Sequence, residues 1–96
     1  MKRVILDSEA EREVDNALAS SAIADEFRVA IAEAVAGIGA NPKQAAQIGR
    51  SEIRQYIFTR FPYSIIYLEE NDLIRVLAFP HHRQRPGYWK RRLRPN

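Results

Sequence analysis

Residues 60–89 read RFPYSIIYLEENDLIRVLAFPHHRQRPGYW, and this stretch decides the fold. Tyr63 to Leu68 is rich in β-branched and aromatic residues, and Leu73 to Phe79 is apolar apart from Arg75. Both runs have the length and composition of strands. Between them, Glu69-Glu70-Asn71-Asp72 is a four-residue polar turn, so the two strands form an antiparallel hairpin. Phe61-Pro62 marks where it begins and Pro80 where it ends, because proline has no N–H to give to a ladder. Beyond Pro80 the chain becomes basic and aromatic.

Upstream, Glu52 to Thr59 alternates with period two. Arg54, Tyr56 and Phe58 fall on one side, and Ile53, Gln55 and Ile57 on the other, which adds a third strand. Residues 43–51, KQAAQIGRS, read as a linker with room for one helical turn. Before the linker the period changes to that of a helix. Ile23, Phe27, Ile31, Ala34, Val35 and Ile38 make one apolar stripe over Ala22 to Ile38. Gly37 and Gly39 weaken the end of this helix, and Asn41-Pro42 closes it. An earlier helix runs from Glu9 to Ala19 with Ala10, Val14, Ala17 and Leu18 on one face. Ser8 and Glu11 have the spacing of a capping box, and Glu9, Glu11 and Glu13 suit the positive end of a helix. Val4-Ile5-Leu6 reads as a short buried strand.

The order is therefore β-α-α-β-β-β. It describes a single α+β domain over residues 1–96, a helical hairpin packed on one face of an antiparallel sheet. A chain of 96 residues hides roughly 60–65% of its unfolded surface on folding, enough for one small core. It contains no cysteine, which excludes disulfides, thiolate zinc sites, iron–sulfur clusters and cysteine nucleophiles. No apolar run approaches the roughly 20 residues that span a bilayer. The start, MKRVILDSEAER, lacks the long apolar stretch of a signal peptide. These features predict a cytoplasmic protein.

Charge is polarised along the chain. Residues 1–40 carry a balance of −4 and residues 41–96 a balance of +7, within a net charge of +3. The last sixteen residues hold six Arg or Lys and no acid. Such asymmetry fits either a negatively charged partner or a solvated tail that aids solubility.

The element order and the segment FPYSIIYLEENDLIRVLAFPHHRQRP resemble the ParE/RelE toxin superfamily of type II toxin–antitoxin modules, also called plasmid stabilisation proteins. The resemblance rests on Arg60, Phe61-Pro62-Tyr63, Tyr67, the acidic turn, the apolar strand Ile74 to Phe79, His81 with Arg83, and Trp89. The capped first helix and Asn41-Pro42 are similar too. Many relatives carry a Trp-Tyr pair in the first helix, where this chain has Asn16-Ala17-Leu18-Ala19. The resemblance implies a small toxin that arrests growth when freed from a cognate antitoxin, with which it forms a hetero-oligomer. No cofactor is implied. ParE-like members poison DNA gyrase, and RelE-like members cleave mRNA on the ribosome.

RNA cleavage through the 2′-hydroxyl needs a base, an acid and cations. The available side chains are Arg54, Arg60, His81, His82, Arg83, Arg85 and Tyr88, with His82, Arg83 and Tyr88 as the catalytic set of the nuclease alternative. The chain has only Lys2, Lys43 and Lys90, none of them in the three C-terminal strands. Arginine stabilises charge but shuttles protons poorly. The ParE-like reading is therefore preferred. It assigns target binding to Arg60, Arg83, Arg85, Tyr88, Trp89, Lys90 and Arg91, with Arg92 beside them and no catalytic residue. Trp89 has two readings, an anchor packed on the sheet or an interface hot spot. His81 and His82 are adjacent and point apart on an extended chain, which is poor geometry for one metal. Tyr56, Phe58, Tyr63, Tyr67 and Phe79 read as core rather than as a platform for stacking bases.

Overall fold

The computed structural model describes residues 1–93. The hairpin pattern forms as β4 (Ser64–Glu69) and β5 (Leu73–Ala78), and β3 (Ile53–Ile57) lies antiparallel on the other side of β4. The turn is tighter than the four residues expected. Glu69 stays in the ladder, and the Glu70 N–H donates to the Leu73 carbonyl at 2.8 Å. β1 (Arg3–Leu6) joins the free side of β5, but in parallel, with Arg3 opposite Leu73 and Leu6 opposite Val76. The sheet is thus mixed, not purely antiparallel.

The expected linker holds a further strand. β2 (Ala46–Gln47) pairs antiparallel with β3, and the strand order is β1-β5-β4-β3-β2. Two short residues pair here because Arg54 of β3 pulls the linker in. Its guanidinium donates to the Ala45 carbonyl at 2.7 Å and to the Lys43 carbonyl at 3.2 Å. That contact depends on the fold and leaves no periodicity in the sequence. Gly49, at φ +58°, and Ser51 then turn the chain back into β3.

Helices α1 (Ser8–Ala19) and α2 (Ala24–Ala40) occur as the periodicity predicts, with altered ends. The capping box of Ser8 and Glu11 does not form. Asp7 is the residue before the helix, and its carboxylate turns away to Arg75. α2 starts after Ile23, which is left 45% exposed, and continues through both glycines. Gly39 lies inside the helix because the N-terminal strand crosses it. The Lys2 N–H donates to the Gly39 carbonyl at 3.0 Å, and a Cβ on Gly39 would stand 2.9 Å from the Lys2 carbonyl oxygen.

The two sheet faces are buried by different parts of the chain. On the helix side, Phe27 of α2 stacks on Phe61 at 4.4 Å and lies 5.3 to 6.2 Å from Tyr63, Phe79 and Phe58. Aromatic pairs of this kind contribute about 0.5–1.5 kcal/mol each beyond the area they bury. Ala10 and Ala17 of α1, with Ala34 and Ile38 of α2, complete this core over Ile65, Tyr67, Ile74 and Val76. A bulge shifts the register of β5 against β4, with Ile66 opposite Ala78 and Tyr67 opposite Val76. The extra residue, Leu77, turns to the opposite face together with Ala78. Ile53, Ile66, Leu77 and Ala78 form a second apolar surface there, and Trp89 covers it.

Candidate functional site

The segment after β5 is fastened before it crosses the sheet. The Ser64 N–H donates to the Pro80 carbonyl and the His82 N–H to the Pro62 carbonyl. His81 organises the turn that follows. Its N–H donates to the Gln84 side-chain oxygen, and its Nδ1 accepts from the Arg83 N–H at 3.0 Å. Its ring lies edge-on to Tyr63 at 5.0 Å. His82 points elsewhere, as expected of its neighbour. Its Nε2 lies 3.0 Å from the Tyr63 carbonyl and 3.2 Å from the Ser64 hydroxyl, which also accepts from Gln55. A carbonyl only accepts, so Nε2 carries the proton and cannot take one from Ser64. Ser64 is therefore a buried link in a polar network, not an activated nucleophile.

Gly87, at φ +77°, then turns the chain into a 3-10 segment, Tyr88–Leu93. Lys90 folds back over this glycine, with its Cε 3.1 Å from where a Cβ would stand. Trp89 drives its ring onto Ile53, Ile66 and Leu77 and is 4% exposed. Of its two readings, the anchor is the one realised, and the ring is not available on the surface. The segment forms a strap over the second sheet face. Between strap and sheet lies a cleft of about 310 Å³, bordered by His82, Gln55, Ser64, Arg85, Tyr88 and Lys90 among others, with no carboxylate among the described residues of its wall.

The strap is tied to α1 by two carboxylates, chiefly Glu13 and also Glu9. Glu13 accepts from the Tyr88 hydroxyl at 2.6 Å, from the Arg92 guanidinium at 3.1 and 3.2 Å, and from the Phe79 N–H at 2.9 Å. Arg92 also donates to the Leu77 carbonyl at 2.9 Å and reaches Glu9 at 3.4 Å. Burial opposes the charge on Glu13, but Arg92, Tyr88 and the Phe79 amide outweigh it and hold its carboxyl below the usual range. Burial, and next the neighbouring Glu13, push the Tyr88 phenol far above its ordinary value.

The residues expected to act together are only partly brought together. Arg83, Arg85, Lys90 and Arg91 are exposed on and before the strap, and none has an ion-pair partner among the described residues. Tyr88 and Arg92 are committed to Glu13. Arg54 is structural. Arg60 stands apart on the helix side, its guanidinium over the Phe61 ring at 5.5 Å, in a hollow shared with Asp25, Glu26 and Glu33 of α2. Arg94, counted above in the basic tail, lies outside the described residues. Glu13 is the residue that sequence reasoning missed. It reads there as one more acid in the first helix, and its partners lie 66 to 79 residues away.

In this chain a two-helix layer covers one sheet face and a basic segment crosses the other. The chain belongs to the ParE toxin family of type II toxin–antitoxin systems (parDE), whose family model matches residues 4–86. The match ends just before the strap. The fold is similar to that of a solved structure described as the chromosomal ParDE TA system from P. aeruginosa. The two are 18% identical with a TM-score of 0.68, over 84% of this chain and 96% of that one. No curated protein matches. No helix among the described residues is long and apolar enough to cross a membrane.

Proposed function

We propose that this toxin inhibits DNA gyrase in the cytoplasm, using the basic C-terminal segment as its contact surface, and that a cognate antitoxin neutralises it. One observation carries the preference over mRNA cleavage. The Tyr88 hydroxyl and the His82 Nε2 are hydrogen-bonded within the protein, while the cations beside them have no ion-pair partner among the described residues. The Tyr88 hydroxyl is bound to a carboxylate, and the raised affinity of its phenol for its proton makes it a poor acid. The His82 Nε2 is held by the Tyr63 carbonyl. Arg83, Arg85, Lys90 and Arg91 remain as fixed positive charge that suits a macromolecular surface bearing acids or phosphates.

The family implies the antitoxin. A disordered C-terminal segment that folds over the toxin, rich in acids, would associate quickly with this +7 half of the chain. Gyrase supercoiling assays with purified toxin test the proposal. The expected result is loss of supercoiling or accumulation of cleaved DNA, reversed by the antitoxin. Codon-specific cuts in mRNA on translating ribosomes, with supercoiling untouched, would establish the RelE-like alternative instead.

A further inference from the structure

We infer that Glu13 is a positioning residue, a carboxylate on α1 that latches the C-terminal strap across the sheet and sets where its free cations stand. The proposal rests on the contact-surface reading for its functional consequence, not for the latch itself. Three groups from two other pieces of chain meet at Glu13. They are the Phe79 amide from the end of the sheet, and the Tyr88 hydroxyl and the Arg92 guanidinium from the strap. Arg92 is the strap cation that the latch consumes. It is 13% exposed at its side chain, its ring-facing side lies over Tyr88 at 5.1 Å, and it closes the strap onto the Leu77 carbonyl.

The remaining attachments of the strap are of another kind. Trp89 is held by apolar contact with Ile53, Ile66 and Leu77, which fixes position on the sheet but resists sliding weakly. Within the strap, the Lys90 N–H donates to Gly87 and the Tyr88 N–H to Arg85, both local. Among the described residues, directional contacts between the strap and the body of the protein therefore fall mainly on Glu13 and on Leu77 beside it, with Glu9 one turn earlier in α1 reached at 3.4 Å. The strap also lies beyond residue 86, where the family match ends, whereas Glu13 lies within it.

Glu13→Gln keeps the size of the side chain and removes the charge. Hydrogen exchange at the amides of residues 88–92, together with the emission of the chain's one tryptophan, Trp89, reads the strap directly. Exchange at Ile65 and Val76 reads the sheet. The expected result is faster exchange in the strap by about tenfold or more, the scale of losing charge-assisted bonds, with sheet amides unchanged and Trp89 emission red-shifted. Tyr88→Phe, which removes one donor and leaves α1 untouched, loosens the strap by a smaller factor in the same place. It carries the test if the Glu13 variant fails to fold. Strap exchange that stays at the wild-type rate, or that rises equally throughout the sheet, would overturn the inference. Growth arrest measured on the same variants tests the other reading separately. A loosened strap with undiminished arrest keeps the latch and removes the strap from the contact surface.

Discussion

Asp7 and Arg75 meet in a two-pronged ion pair, with Nε to Oδ1 at 3.1 Å and Nη2 to Oδ2 at 2.8 Å. The pair joins the end of β1 to the middle of β5 and takes the carboxylate that would otherwise cap α1. Hydrogen bonds that Arg75 donates to Asp7, offset in part by desolvation, raise the proton affinity of its guanidinium. Both side chains are partly exposed, so solvent screens the pair. Asp7→Asn should cost about 1 kcal/mol, read as a lower urea midpoint. An unchanged midpoint would show that β1 is held by its backbone ladder alone.

Phe27 is the aromatic hub of the helix-side core and is 1% exposed. Phe27→Ala should destabilise by about 3–5 kcal/mol, which is a large share of the roughly 5–15 kcal/mol that stabilises a domain of this size. Phe27→Leu should cost less than half as much. Thermal unfolding of both variants tests the ranking.

Two glycines in α2 should respond in opposite directions. Gly37 has nothing within 4 Å of a built Cβ, so Gly37→Ala should stabilise by about 0.5–1 kcal/mol through helix propensity. Gly39 faces the Lys2 carbonyl at 2.9 Å, and Gly39→Ala should destabilise by about 1–3 kcal/mol by pushing β1 away. If both substitutions stabilise, β1 does not cross α2 as closely as described.

The pH dependence of the latch has a definite sign. Glu13 ionises below its ordinary range when folded, despite burial, because Arg92, Tyr88 and the Phe79 amide favour its charged form. Its contribution is therefore present above the ordinary carboxylate range and is lost as pH falls through the folded value. Arg92, Tyr88 and Glu9 face it, and His81 lines the adjoining hollow. Between neutral pH and about pH 3, the urea midpoint of Trp89 emission should fall further in the wild type than in Glu13→Gln. Parallel curves for the two proteins would assign the acid sensitivity to other carboxylates.

Charge removal separates fold from activity. Replacing Arg83, Arg85, Lys90 and Arg91 together by alanine should leave the urea midpoint within about 0.5 kcal/mol of wild type, since these side chains are exposed. Growth arrest should be lost. Arrest that persists would move the contact surface elsewhere, and Arg60 on the helix side is the next residue to test.

Local patterns were the legible part of this chain. The stripe from Phe27 to Ile38, the alternation around Arg54 to Phe58 and the prolines at 62 and 80 each act over a few residues. They mark out the helices and the meander within a residue or two. The core role of Phe58, Tyr67 and Phe79 followed from the same spacing. What could not be read depends on contacts made after folding. The strand at Ala46–Gln47 exists because Arg54 captures the linker's carbonyls. Gly39 continues a helix because β1 crosses it. The bulge that turns Leu77 outward alters a run that looks uniform. At the site, the basic cluster was plain from composition, but its division into free and committed members was not. That division is set by Glu13, an acid that local spacing makes indistinguishable from Glu9 and Glu11.

The parallel pairing of β1 with β5 governs the order in which this protein can be assembled. The ion pair that closes it joins residues 68 positions apart, and closing so long a loop is slow compared with zipping the meander. A chain leaving the ribosome exposes the residues of its first strand early and those of that strand's partner late. Until residue 78 has emerged, the apolar sides of α1 and α2 have no sheet to cover them. A chain that ends before β5 therefore leaves β1 without its partner strand and both helices without the sheet that buries them.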